Sequence, residues 1–353
     1  MLNAFIFNQS FTLETGRILP GFHLAYTTYG KLNKTCDNAV WVFHALTANS
    51  DPAEWWPGLV GEKCLFNADD YFIVCVNMPG SCYGSFGPLD TNPQTGMPYY
   101  HHFPFFTTRD MIRAYQHLKN YLGISKIQIG LGGSMGGQQL LEWAVEEPDL
   151  FQTIVPIATN AQHSPWGIAF NASQRFCIEQ DKTWQEQHPM AGMSGMKTAR
   201  SIALLSYRNY HIYGLSQYGT TAATKDLSIE DQIFNAETYQ HYQGEKLAKR
   251  FNAFSYYFLS KAMDAHNIGR DRSGIVAALK KIRANTLVIS IQSDILFPPE
   301  EGRLLADHIP QATFHLIDSL YGHDGFLLEF EQLGTLINDF LTPKVQKHKK
   351  VTL

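Results

Sequence analysis

The chain has 353 residues, of which 44% are hydrophobic and 17% are charged, and its net charge is −4. This size and composition suit one large α/β domain with an insertion, or two domains. The charge balance argues against nucleic acid as a partner, and the one basic cluster, at 344–350, is typical of a solvated tail.

Membrane insertion and secretion are also disfavoured. No apolar stretch reaches the length of a membrane span, and the N-terminal residues lack a charged n-region. The five cysteines are odd in number and show no metal-ligand spacing. We therefore expect reduced thiols, a cytoplasmic protein and no membrane partner.

Apolar runs along the chain predict a mostly parallel sheet. Near-continuous hydrophobic segments are typical of strands covered on both faces. Between the second and third runs, residues 108–121 carry apolar side chains at helical spacing, and residues 304–308 predict a helix between the last two runs. The alternation favours a doubly wound sheet. The predicted strands are 39–43, 71–76, 127–131, 153–157, 286–291 and 313–317.

Residues 161–281 differ from the rest of the chain. They lack a strong strand signal, are rich in aromatic and polar residues, and show helical patterns at 197–207 and 251–263. We expect residues 1–160 and 282–353 to form the core, and the insertion (residues 161–281) to form a helical lid. An oligomerisation surface is the alternative, and one lid can serve both purposes.

Ser134 lies in a Gly-x-Ser-x-Gly motif formed with Gly132 and Gly136, between the run 127–131 and a helix-like segment at 138–144. A serine at the apex of so tight a turn has strained backbone angles, and bulky neighbours two residues away would collide with the strand or helix. This strand–turn–helix context predicts the nucleophile elbow of an α/β-hydrolase fold.

A serine nucleophile needs a base, and the base needs an orienting carboxylate. In this fold the chain order is Ser, then Asp or Glu, then His. Asp294 follows the predicted strand 286–291, and His323 follows the last strand in a turn-rich loop. Because sites lie beyond the carboxyl ends of parallel strands, both positions suit catalysis. Asp318 and His315 fit less well, since they lie at the end of or within the last strand.

An oxyanion hole needs two backbone N–H donors. One is expected from Met135, the residue after the nucleophile. The other should come from the loop after an early strand, where residues 43–47 are well placed and Leu46 is the predicted donor.

Several segments together resemble the homoserine O-acyltransferase branch of the α/β-hydrolases, best known as the homoserine O-acetyltransferases. They follow the family's order, cover nearly the whole chain, and include the insertion. The matching segments are HALT at 44–47, WWPGL at 55–59, GSCYGSFGP at 80–88, RDM at 109–111, GGSMGG at 132–137, AR at 199–200, YQGEK at 242–246, RF at 250–251, AMD at 262–264 and YGHDGFL at 321–327.

The resemblance implies a ping-pong acyltransferase of methionine biosynthesis, in which Ser134 moves an acetyl group from acetyl-CoA to the hydroxyl of L-homoserine. Arg200 would bind the carboxylate of the amino acid and Asp324 its ammonium group. A guanidinium suits the first task because its fork meets a carboxylate in two parallel bonds. Apart from acetyl-CoA as donor, the resemblance implies no cofactor or metal, and it suggests a homodimer built through the lid.

Three positions depart from the family pattern: Phe86, Ala48 and Asn252. The first two lie in loops near the expected acyl pocket and coenzyme entrance, so a succinyl-CoA donor or a serine acceptor stays open. A plain serine esterase or thioesterase is the second class of function, and Arg200 and Asp324 argue against it. A catalytically silent binding protein is disfavoured, because every triad position is filled.

Overall fold

A computed structural model describes residues 2–342, so the basic cluster at 344–350 lies outside the described residues. The strands are β1 (Leu2–Phe7), β2 (Phe11–Thr12), β3 (Ile18–Leu19), β4 (Phe22–Tyr29), β5 (Ala39–Phe43), β6 (Phe72–Val76), β7 (Ile127–Gly133), β8 (Phe151–Ile157), β9 (Asn285–Ile291) and β10 (Ala312–Ile317).

Helices of very different length connect and cover the strands. Short 3-10 turns occupy residues 100–102, 229–231 and 322–324. The α-helices are α1 (Pro52–Trp55), α2 (Thr108–Tyr121), α3 (Met135–Glu146), α4 (Pro165–Glu179), α5 (Met193–Tyr207), α6 (Tyr210–Ser216), α7 (Asn235–Ala248), α8 (Ala253–Asp264), α9 (Ile275–Leu279), α10 (Pro299–His308), α11 (Gly325–Leu328) and α12 (Phe330–Leu341).

The central sheet has eight strands in the order β1-β4-β6-β5-β7-β8-β9-β10. Strands β5 to β10 are parallel, whereas β4 pairs antiparallel with both β1 and β6. Strands β2 and β3 form a separate hairpin. Each predicted strand is present with small changes at its ends, and the α/β-hydrolase fold class is confirmed.

The hydrophobic core lies on both faces of this sheet. In β5, Trp41 and Phe43 pack into one apolar cluster, and Val40 and Val42 pack into the other, as alternation along a strand requires. The first cluster includes α2 and α3, and the second includes α12. Strand β5 is therefore fully buried, which explains its unbroken apolar sequence.

The insertion contains helices α4 to α9 and no named strand. Buried ion pairs join the last part of the insertion to the core. Arg272 of the insertion contacts Glu142 of α3 at 2.6 Å, and Arg109 of α2 contacts the same carboxylate at 2.8 Å. The division into a core and a lid stays a prediction that this arrangement supports. Within residues 2–342, no helix combines the length and apolarity needed to cross a bilayer.

Candidate active site

Ser134 stands at the sharp turn between β7 and α3. Its backbone angles are φ 58° and ψ −128°, a positive-φ conformation that costs a non-glycine residue free energy. Neighbouring groups hold it there: its N–H donates to the Ile157 carbonyl at 3.0 Å, and its carbonyl accepts from Thr159 Oγ1 at 2.8 Å. The strained turn is thus fixed from the adjacent strand β8 and the residues that follow it.

Gly132 and Gly136 of the motif are required because backbone atoms of neighbouring elements lie too close for a side chain. A Cβ on Gly132 would lie 2.6 Å from the carbonyl carbon of Gly136, and a Cβ on Gly136 would lie 2.1 Å from the Phe43 carbonyl oxygen. Strand β5, strand β7 and helix α3 therefore meet at distances that exclude any side chain. Steric crowding on both sides of the turn therefore explains the two glycines of the motif.

Asp294 and His323 lie within hydrogen-bonding distance of each other, with His323 Nδ1 2.6 Å from Asp294 Oδ2. Both residues are 2% exposed. The other carboxylate oxygen, Oδ1, accepts from the backbone N–H groups of Leu296 at 2.8 Å and Phe297 at 2.9 Å. Because an ionised carboxylate only accepts, His323 Nδ1 carries the proton and its Nε2 is left to act as a base.

Aromatic rings surround the His323 imidazole. Phe297 stacks on it, and the rings of Phe326 and Tyr207 lie 5.2 and 5.9 Å away between centroids. Such apolar walls fix the orientation of the imidazole and keep water away from it.

Most of the predicted site residues line one narrow cavity. Asp294 lies behind His323, and the buried Met135 directly follows Ser134, so the backbone N–H of Met135 is at the N-terminus of α3. The residues that line the cavity are Ala45, Leu46, Thr47, Ser134, Arg200, Tyr207, His323, Asp324, Phe326 and Leu327.

The loop that carries Leu46 is held by buried polar groups. His44 Nε2 accepts from the Met78 N–H at 3.1 Å, and the His44 carbonyl accepts from Gln139 of α3 at 3.2 Å. Burial lowers the pKa of His44 to about 4, so the ring is neutral at neutral pH. His44 belongs to the family segment at 44–47, but no sequence pattern indicates its bond to Met78.

Arg200 of α5 and Asp324 of the turn at 322–324 both line the cavity. The Arg200 guanidinium lies 5.3 Å from the centroid of the Tyr207 ring. Asp324 Oδ2 lies 2.8 Å from Nε of Arg208, the residue that follows α5. Burial raises the pKa of Asp324, while the charges of Arg208 and Arg200 oppose that rise. Arg208 belongs to none of the sequence motifs, so its pairing with Asp324 was not predicted.

Two of the departures from the family pattern have local explanations. Phe86 packs among Tyr99, Phe103 and Phe106, with centroids 5.2 to 6.0 Å apart, and is absent from the lining of the Ser134 cavity. Asn252 caps α8 by accepting from the Ser255 N–H at 2.8 Å, a role that Asp fills equally well.

Comparison with known proteins agrees with this geometry. Residues 38–189 match the α/β hydrolase fold family. The homoserine O-acetyltransferase of Cyclobacterium marinum is 47% identical over 95% of this chain and 94% of its own length. That of Trichormus variabilis is 42% identical over 94% of this chain and 91% of its own length.

The fold is also similar to the solved structure of homoserine O-acetyltransferase from Bacillus anthracis. The two structures match over 98% of each chain with a TM-score of 0.88, and at 24% sequence identity this match shows similarity of fold alone. The curated relatives match nearly end to end, and the chain therefore belongs to the homoserine O-acetyltransferase family of acyltransferases.

Proposed function

We propose that this enzyme moves an acetyl group from acetyl-CoA to the hydroxyl of L-homoserine through an acyl-enzyme on Ser134. The main support for this proposal is that Ser134 and His323 line the same cavity as Arg200 and Asp324. The first two are the residues that acyl transfer needs. The second two offer one cation and one anion, which match the two charges of an amino acid.

In the first half-reaction, Ser134 Oγ attacks the thioester carbonyl while His323 Nε2 accepts the hydroxyl proton. The backbone N–H groups of Leu46 and Met135 stabilise the negative oxygen of the tetrahedral intermediate. The C–S bond then breaks, and His323 returns the proton to the leaving sulfur. Asp294 holds the imidazole tautomer and stabilises its protonated form.

In the second half-reaction, the homoserine hydroxyl loses its proton to His323 Nε2 and attacks the ester carbonyl on Ser134. The bond between the acyl carbon and Ser134 Oγ breaks, and the proton passes from His323 to that oxygen. O-acetylhomoserine leaves and the free enzyme is restored. Residues of this chain perform each proton transfer, so no further cofactor is invoked.

A transferase must favour the amino-acid alcohol over water as acceptor. Arg200 would bind the substrate carboxylate and Asp324 the ammonium group, holding the hydroxyl next to the acyl-enzyme. The walls formed by Tyr207, Phe326 and Leu327 reduce the access of water to the same place. A hydrolase would have no use for the charge pair.

The family name supports a place in methionine biosynthesis, and the five free cysteines suit a reducing cytoplasm.

Large exposed apolar side chains concentrate in the insertion, which supports a homodimer built there. They include Leu205, Tyr210, Leu215, Tyr218, Ile229, Phe234 and Tyr242. Sedimentation of the full chain tests this, and a monomer at micromolar concentration contradicts it.

Thiol release tests the reaction itself. Acetyl-CoA and succinyl-CoA are each supplied with homoserine, with serine or with no acceptor. We expect the fastest release from acetyl-CoA with homoserine, together with formation of O-acetylhomoserine. Release that is equally fast without an acceptor would show a thioesterase, and preference for succinyl-CoA or serine would overturn the donor or the acceptor, respectively.

A further inference from the structure

Arg208 lies outside the cavity around Ser134 but touches a residue that lines it. Its Nε is 2.8 Å from Asp324 Oδ2, and the two side chains are 22% and 15% exposed. Its guanidinium also lies 6.0 Å from the centroid of the Tyr321 ring. This mostly buried ion pair joins the end of α5 to the turn that carries His323.

The backbone packs as closely as the side chains at this junction. Gly322 has φ 63°, and a Cβ on it would lie 3.0 Å from the Arg208 carbonyl carbon. The turn at residues 322–324 therefore rests directly on the C-terminal end of α5. Asp324 and Arg208 are held together by main-chain contact and not only by their charges.

Asp324 needs such a partner because of its surroundings. Burial raises the pKa of its carboxyl, and the charge of Asp294, in the loop after β9, acts in the same direction. Arg208 directly after α5, Arg200 of α5 and His323 from the same turn act in the opposite direction. Further titratable groups affected by Asp324 are the hydroxyls of Tyr207 and Tyr213.

We propose that Arg208 is a positioning residue that keeps Asp324 ionised and holds its Oδ2, leaving Oδ1 for the ammonium group of the acceptor. The inference rests on the proposed function and deepens it. Acting through Asp324, Arg208 makes the site selective for an acceptor that carries a positive charge beside its hydroxyl. Arg200 remains the cation inside the cavity, available for the carboxylate of the same acceptor.

The division of roles between the two arginines follows from their places. Arg200 lines the cavity with Ser134, whereas Arg208 lines the neighbouring surface formed with Asn209, Ser293 and Ile295. A substrate in the cavity therefore meets Arg200 directly and Arg208 only through Asp324. Loss of Arg208 should impair recognition of the acceptor and spare the reaction of Ser134 with the donor.

The test compares Arg208→Gln with the unaltered chain in each half-reaction. Acylation of Ser134 by acetyl-CoA, measured without acceptor by mass spectrometry, should keep its rate and its pH profile. The KM for homoserine should rise about tenfold, or about 1.4 kcal/mol, because Asp324 loses the positive charge beside its Oδ2. Arg283→Gln is the matched control, since Arg283 forms an exposed pair with Asp149.

The pH profile separates this role from simple packing. Protonated Asp324 cannot hold an ammonium group by charge, so kcat/KM for homoserine falls as the pH drops through the Asp324 pKa. Without Arg208 that pKa rises, and the acidic limb should move to higher pH. Arg208→Lys restores the charge, so the acidic limb of the kcat/KM profile should move part of the way back to lower pH.

Three outcomes would overturn the inference. They are an unchanged KM and acidic limb in Arg208→Gln, an equal loss of acylation and of homoserine recognition, and a further rise in KM when Arg208→Gln is added to Asp324→Asn. Failure of the unaltered chain to acetylate homoserine would instead overturn the proposed function. The two failures are therefore distinguishable.

Discussion

The ring of Phe297 stacks on the imidazole of His323, with centroids 5.0 Å apart and planes inclined by 28°. The backbone N–H of the same Phe297 donates to Asp294 Oδ1 at 2.9 Å. One residue thus supports the proposed base by its ring and the proposed orienting acid by its main chain. The two members of the pair are positioned from the same short loop after β9.

Replacing Asp294 by Asn should abolish most activity without unfolding the loop. The Asn oxygen can still accept from the N–H groups of Leu296 and Phe297, which turns its NH₂ group toward His323 Nδ1. The imidazole then carries its proton on Nε2 and cannot act as a base. We expect kcat to fall about 10⁴-fold. Asp318→Asn is the control, because Asp318 is exposed, and loss of activity there would contradict the assignment.

Ser134→Ala should prevent formation of the acyl-enzyme. Incubation with acetyl-CoA alone should add the mass of one acetyl group to the unaltered chain and nothing to the variant. Steady-state transfer should fall by about 10⁴-fold or more, since without the nucleophile only binding and oxyanion stabilisation remain. A variant that still transfers acetyl groups at the full rate would exclude a covalent mechanism through this serine.

Gly136→Ala should prevent normal folding of the elbow. The added methyl would lie 2.1 Å from the Phe43 carbonyl oxygen, which belongs to a buried strand and cannot move aside. We expect a loss of about 3–5 kcal/mol of unfolding free energy, or no folded protein. Gly214→Ala is the matched control, since its Cβ meets nothing within 4 Å in helix α6 and should be neutral or stabilising. Similar denaturation curves for both variants would refute the steric account.

Arg200→Leu should raise the KM for homoserine and leave acylation by acetyl-CoA unchanged. The leucine keeps apolar contact with Tyr207 but cannot pair with a carboxylate. We expect a rise of about 10²-fold, from the loss of a charge-assisted bidentate contact worth about 2–3 kcal/mol. Half-reaction kinetics with and without homoserine provide the measurement. Unchanged saturation by homoserine would show that another residue binds the substrate carboxylate.

His44 should make the fold sensitive to acid. The unfolded chain protonates this imidazole near pH 6.5, but burial lowers its pKa in the fold to about 4. The unfolded state therefore binds more protons at His44 between these values, and His44 alone should lower the stability by about 3 kcal/mol at pH 4. Denaturation at a series of pH values checks this.

His44→Gln provides the comparison for that titration. Its side-chain oxygen can still accept from the Met78 N–H, but it has no proton to gain in this interval. The stability difference from the unaltered chain should therefore narrow as the pH falls from 6.5 to 4. His211→Gln is the control, because His211 is exposed. Parallel stability curves for all three chains would contradict the assignment to His44.

Local patterns and fold topology made the central residues predictable. The elbow at Ser134 is a local motif, and the strands before Asp294 and His323 are continuous apolar runs in a sheet whose strand ends meet at one edge. Strands β1 and β4 were not predicted. Strand β4 mixes Thr and Tyr with apolar residues, and β1 is an edge strand in which only Phe5 is buried. Pairing between distant segments stabilises them.

The contacts that position the site were harder to predict, because each joins residues far apart in sequence. The pairing of Arg208 with Asp324 depends on how α5 docks against the turn at 322–324. The bond between His44 and the Met78 N–H likewise depends on the pairing of β5 with β6. Neither relationship leaves a periodic or compositional trace in the chain.

The contact between Gly136 and the Phe43 carbonyl has a consequence for the energetics of catalysis. Strand β5 leads to Leu46 and helix α3 begins at Met135, so this contact sets the separation of the two proposed oxyanion donors. Their dipoles are then oriented when the chain folds, before any substrate arrives. Little reorganisation energy remains for the chemical step, because folding has already supplied the alignment that water would have to achieve during the reaction.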